Sequence, residues 1–267
     1  KTGTTYQNSV ALAMGDRNNY ANFSAKKQDV EFVIPNDELS RNTFLLKVGQ
    51  KLGKWSLQSN VSYAREKRKA AAPGLYTDLL QTPTNVPVGQ FENSGNEGHW
   101  NGYYQNPYWL RDNNRSESQR DRYTLGANIT YTVNDNISVL VRPNIRNFVN
   151  TELRFTGAYS DPQSVIDITG NTNRNSISSY RSFTQTNSTF TNDIIVNLDY
   201  QLTEDISLKS NIGNNVTRSN SNYEGSGGDN LVVPGLYALS NVTADVLTNA
   251  GTTQPVTGRF TNKERGL

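Results

Sequence analysis

The sequence predicts an all-β fold, an antiparallel up-and-down meander of the kind that builds a transmembrane β-barrel, with this chain as a segment of it. Three observations carry that expectation. Apolar and polar residues alternate with a period of two along most of the chain, while helical periodicity is weak throughout. Tight turns alternate with long connections, so all tight turns fall at one end of a meander and all long loops at the other. The chain is polar overall, with mean hydropathy −0.69 and 34% hydrophobic residues, yet it is rich in Tyr and other residues that suit strands and interfaces.

A first hairpin turns at Gly15-Asp16-Arg17-Asn18, between strands around Gln7 to Met14 and Tyr20 to Val33. Phe44, Leu46 and Val48 then lead through Leu52-Gly53-Lys54 into Trp55, Leu57, Val61 and Tyr63. The clearest strand places Tyr123, Leu125, Ala127, Ile129, Tyr131 and Val133 on one face and Arg122, Thr124, Gly126, Asn128, Thr130 and Thr132 on the other. Asn134-Asp135-Asn136 supplies turn chemistry. Ile137, Val139, Val141, Pro143 and Ile145 follow, against Ser138, Arg142, Asn144 and Arg146, with Leu140 an exception on the polar side. Phe190, Ile194, Val196, Leu198, Tyr200 and Leu202 alternate with polar residues that Ile195 interrupts, and Glu204-Asp205 turns the chain into Ile206, Leu208 and Ile212. Template counting gives roughly eight strands.

The long connections fall at about 34–42, 67–120, 150–189 and 220–255. Loops longer than ~15 residues are uncommon in compact domains unless they serve a function. Trp55 and Tyr63 stand eight residues apart on one face, as do Tyr123 and Tyr131. Eight residues rise roughly 26 Å. At a tilt of about 40° that is roughly 20 Å along a membrane normal, close to the apolar band between aromatic girdles. A strand such as Tyr123 to Val133 has about the ~9–11 residues that span a membrane. A soluble β-sandwich also alternates, so a secreted sandwich that binds carbohydrate stands as the alternative.

Composition excludes several chemistries. With no Cys there is no disulfide scaffold, thiolate nucleophile or Cys-zinc site. His99 is the single histidine, and no Ser and acid at catalytic spacing accompany it, so triad catalysis is not expected. Asp193 and Asp199 share a strand face roughly 20 Å apart, too far for a glycosidase pair. An enzyme is therefore not expected, nor a cofactor or metal. A net charge of +2 leaves no footprint for nucleic acid. No initiator Met or apolar leader is present at Lys1, and Arg259 to Leu267 reads as another strand starting. Residues 1–267 are thus read as one partial domain of a longer protein.

The best binding candidates are the loop aromatics Trp100, Tyr103, Tyr104, Tyr108 and Trp109, with His99 beside them. Aromatic faces stack on sugars and pack on peptides, but the same rings also serve loop burial or contact with a partner protein. Arg142 and Arg146 on the polar face are candidates for a wet wall that binds solute. The Gly-rich stretch from Asn220 lacks the Lys-Ser/Thr and helix of a phosphate loop. Arg65 to Lys69 is a basic cluster at a strand end, placed to meet outer-membrane lipid or solvent.

Three segments, in order along the chain, resemble a known family: Ile34-Pro-Asn-Asp-Glu-Leu-Ser-Arg-Asn-Thr-Phe44, Asn106-Pro-Tyr-Trp109 ahead of Arg120 to Gly126, and Val233-Pro-Gly-Leu-Tyr-Ala-Leu-Ser-Asn241. The family is that of SusC-like (SusC/RagA) TonB-dependent outer-membrane transporters of Bacteroidetes. The resemblance implies a 22-stranded barrel with short periplasmic turns and long extracellular loops. It also implies import of oligosaccharide or peptide, a SusD-like surface lipoprotein over the mouth, and energy from TonB. Neither the family's plug domain nor its TonB-box region is visible in this stretch.

Overall fold

A computed structural model describes residues 2–92, 106–160, 176–244 and 256–266. Their strands form one antiparallel sheet. In chain order they are β1 (Thr4–Gly15), β2 (Asn19–Glu31), β3 (Glu38–Leu52), β4 (Trp55–Ala71), β5 (Asn114–Asn134), β6 (Ile137–Thr156), β7 (Ser179–Gln201), β8 (Ser207–Leu231), β9 (Val242–Ala244) and β10 (Val256–Gly266). Each of the first eight pairs with the next, β10 pairs with β8, and the short β9 pairs with the end of β8. The tight turns at 16–18, 53–54 and 135–136 and the bend at 202–206 all lie at one end, as the alternation of connections predicts. Gly15 at φ 108 fits the first turn: a Cβ there would lie 2.0 Å from the Asn19 carbonyl oxygen.

The register lines up the apolar residues across strands. Leu12, Phe23, Leu46, Val61, Leu125, Ile145 and Phe190 form one continuous row over seven strands. All seven are 38–57% exposed. The two aromatic pairs spaced eight residues apart line up with each other across β4 and β5: Tyr63 stacks on Tyr123 at 4.8 Å, and Trp55 lies 4.6 Å from Tyr131. On β7 the apolar run continues through Leu198 and Tyr200, beyond the residue level with Trp55. The apolar belt therefore crosses the sheet obliquely, as it does where strands tilt against a membrane.

No second sheet covers that face among the described residues. A sandwich needs one, so the soluble alternative does not match the architecture. The accessible surface is 17457 Å². A soluble monomer of this mass exposes about 11,600 Å².

The strands are longer than the alternation suggested. β5 has 21 residues, β7 has 23 and β8 has 25. The extra length lies at the long-loop end. There both faces are polar, as in Arg115 to Asp121, so no period-two signal marks the strand, but each backbone N–H and C=O still takes a ladder partner. The connections are shorter in consequence, and the Gly-rich stretch from Asn220 belongs to β8 rather than to a loop. Gly225 stands opposite Phe183 there, and a Cβ would come within 3.1 Å of its ring. The sequence exceptions Leu140 and Ile195 turn out to be register partners, level with Gly213, so they make one small apolar patch on the polar face.

Candidate functional site

Two regions carry side-chain chemistry: the roots of the long loops, and the polar face of the sheet. At the roots, Asn106 caps helix α2 (Pro107–Asn113). Its Oδ1 accepts from the Tyr108 N–H at 3.0 Å and its Nδ2 donates to the Phe91 carbonyl at 3.1 Å. Pro107 at the first turn lacks the N–H that would otherwise be orphaned. The helix turns Trp109 and Leu110 onto Ala71 and onto Leu75 of helix α1 (Gly74–Leu80), with Ile34 and Tyr159 packed alongside. This is the hydrophobic core of the described chain.

Asp37 and Arg115 clamp the same corner. Their ion pair spans 2.9 Å and both side chains are at most 10% exposed. Asp37 also accepts the Ala71 N–H at 2.8 Å, and Arg115 donates to the Asn36 and Arg111 carbonyls. Asn36 takes φ 67, a value Asn tolerates in a tight turn. Asn241 does comparable work in the third segment. It is buried, accepts the Val233 N–H at 2.9 Å, and donates to the carbonyls of Val233 and Leu236. The Tyr237 ring lies 4.5 Å from Phe155, and burial raises its phenol pKa. The three segments that resemble the family are thus the places where polar side chains satisfy backbone at the bases of loops.

The predicted aromatics divide accordingly. Trp109 is 7% exposed and 6.0 Å from Tyr159, so its ring is packed in the cluster and is not presented to solvent. Tyr108 is half-buried beneath the Arg111 guanidinium at 5.3 Å. Asp112 first, and then Glu92, raise the Arg111 pKa. His99, Trp100, Tyr103 and Tyr104 lie outside the described residues.

The polar face is a wall of hydroxyls, amides and arginines. Arg142 pairs with Asp193 at 3.1 Å, and Asp193 also accepts from Asn215. Thr189 and Ser219 share a hydrogen bond of 3.2 Å. Arg146 stands in register with Thr124 and Thr189 instead of a carboxylate. With Arg122, Phe148 and Asn187 it lines a depression of about 750 Å³. Nearer the loops, Phe183 stacks on Tyr223 at 5.9 Å, with the Arg154 guanidinium 5.5 Å from the Phe183 ring. These aromatics were missed in the sequence because 150–189 and 220–255 read as loops. The run of Tyr, Phe and Thr from Tyr180 to Phe190, residue types that favour strands, was the available signal.

No known protein-family pattern matches the chain. No curated protein matches it either. Among solved structures, the chain is similar to the RagAB peptide transporter, with TM-score 0.69 at 11% identity over 96% of this chain and 28% of that one. The RagAB peptide importer in its closed-closed state aligns with TM-score 0.68 at 9% identity, over 98% of this chain and 29% of that one. At such identities the likeness is one of fold: this is a segment of an antiparallel up-and-down transmembrane barrel. The chain spans under a third of the length of those neighbours.

Proposed function

We propose that this chain is part of a SusC-like TonB-dependent transporter that imports peptide or oligosaccharide across the outer membrane. The carrying observation is the exposed apolar row from Leu12 to Phe190, with the aromatic pairs bounding its belt. An exposed row of that extent meets lipid or a partner rather than water. The opposite face then lines a wet lumen, which suits Arg, Asn and Thr. The long loops lie outside the cell and the tight turns in the periplasm.

Solute selection falls to the lumen wall with Arg142 and Arg146 and to the aromatics His99 to Tyr108 near the mouth. Trp109 acts on that region indirectly, by fixing the loop base. The fold likeness to a peptide importer favours peptide over oligosaccharide. A SusD-like lipoprotein caps the loops, and TonB supplies energy through a region outside this stretch.

Cell fractionation tests the reading. An antibody to the 67–120 region should find the protein in the outer membrane, in a band far heavier than 29.7 kDa. A soluble band near that mass would overturn it.

A further inference from the structure

We propose that the wall depression around Arg122 and Arg146 binds a carboxylate of the imported solute, next to a hydrogen-bond donor on the same molecule. This rests on the import reading, because it takes the polar face as the lumen.

On the polar face Arg41 pairs with Glu66, Arg142 with Asp193, Arg154 with Glu152 and Arg181 with Asp229. Arg122 and Arg146 have no such partner among the described residues. Arg122 is level with Ala64 and Phe148, and Arg146 with Thr124 and Thr189. Two guanidiniums therefore face the same depression without a carboxylate between them.

Their spacing suits an anion. Arg146 is opposite Thr124, so Arg122 is its diagonal neighbour on the adjacent strand. Diagonal neighbours lie about 7–8 Å apart, within reach of long side chains that converge on one group. Guanidinium forks match the two oxygens of a carboxylate and stay charged at every physiological pH. Thr189 and Ser219 hydroxyls line the same depression.

Asn187 supplies an independent sign of a missing partner. It lines the depression, and its Oδ1 is buried with no hydrogen-bond partner. Buried acceptors are normally satisfied, and a turn of the Asn187 amide about its side-chain torsions would present this oxygen to an N–H or O–H in the depression. The C-terminus of a peptide has a carboxylate beside an amide N–H, and a uronic acid has one beside hydroxyls. Phe148 adds an apolar surface to the same hollow. The position is right for capture during entry: Arg122 adjoins Tyr123 of the aromatic row nearer the long loops.

The test is calorimetric titration of the full-length protein in detergent. The probes are N-acetyl-tetraalanine, its neutral C-terminal amide, trigalacturonate and maltotriose. At least one anionic probe should bind, and R122Q/R146Q should weaken it about tenfold or more while leaving the neutral counterparts unchanged. R122K/R146K, which keeps charge but loses the fork, should fall between. Binding of N-acetyl-tetraalanine alone assigns the site to peptide termini, and of trigalacturonate alone to acidic sugars. If the double variant does not fold, as judged by its heat-dependent gel mobility, R146Q alone should show a smaller loss of the same selectivity. Failure of both anionic probes to bind, or equal losses for charged and neutral probes, overturns the proposal. A protein recovered from the outer membrane with that result keeps the import reading, and a soluble protein removes both.

Discussion

Placing an arginine at Ala127 puts the assignment of faces under direct load. Ala127 is on the apolar face, midway between Tyr123 and Tyr131 and level with Ser59. Four residues rise about 13 Å along a strand. With the tilt of about 40° taken above, that is about 10 Å along the membrane normal from either aromatic row, near the centre of the belt. An arginine on the lipid face at that depth costs ~2–4 kcal/mol. At about 1.4 kcal/mol per tenfold, this lowers the folded-to-unfolded ratio ~30- to 1,000-fold. Asn128→Arg, the next residue, lands on the polar face and should change stability by no more than ~0.5 kcal/mol. Both variants are placed in the full-length protein, folded into phospholipid vesicles and titrated with urea, with gel mobility reporting the folded fraction. Equal costs at the two positions, or a larger cost at Asn128, would refute the assignment.

Other outcomes follow from the loop roots. Trp109→Ala should remove about 3–5 kcal/mol of local stability from the cluster with Leu75 and Tyr159, seen as faster proteolysis of the 72–113 connection while the strands stay resistant. Asp37→Asn leaves Arg115 buried without its counter-charge, and should cost about 3 kcal/mol at that corner by hydrogen exchange of the Ala71 amide. Asn241→Ala strands the backbone groups of Val233 and Leu236, at about 1–3 kcal/mol by the same measurement on Val233. Asp16 accepts the Asn19 and Asn18 N–H groups, and these bonds lower its pKa. Its folded pKa lies below its unfolded one, so the turn is fully supported above about pH 4 and loosens as pH falls through the lowered value. Intrinsic-rate-corrected exchange at Asn18 and Asn19 should rise in that window, and Asp16→Asn should abolish the pH dependence.

Much of the fold was legible because one face of each strand is apolar. The turns at Gly15, Gly53, Asn136 and Asp205 follow from that pattern and local turn chemistry. Where both faces are polar, as in Arg115 to Asp121, periodicity falls silent, and strand ends were misplaced at the loop side of β4 through β8. The site was less legible, for a different reason. Whether Trp109 packs or binds depends on Ala71, Leu75 and Tyr159, distant in sequence. Whether Arg142 is paired and Arg146 is not depends on register, which places Asp193 opposite the first and Thr189 opposite the second. Asn106, Asp37 and Asn241 each hold a loop base, a role that their position between the strands suggests but that only the structure gives partners for.

The assignment of faces sets Leu125, Ile129 and Val139 against lipid and Thr124 and Asn128 against water. Spin labels placed singly at these five positions, in the full-length protein in vesicles, report it directly. Oxygen, which partitions into lipid, should relax the first three, and a water-soluble nickel chelate should relax the last two. Aqueous access at all five, or the reverse pattern, would contradict the assignment.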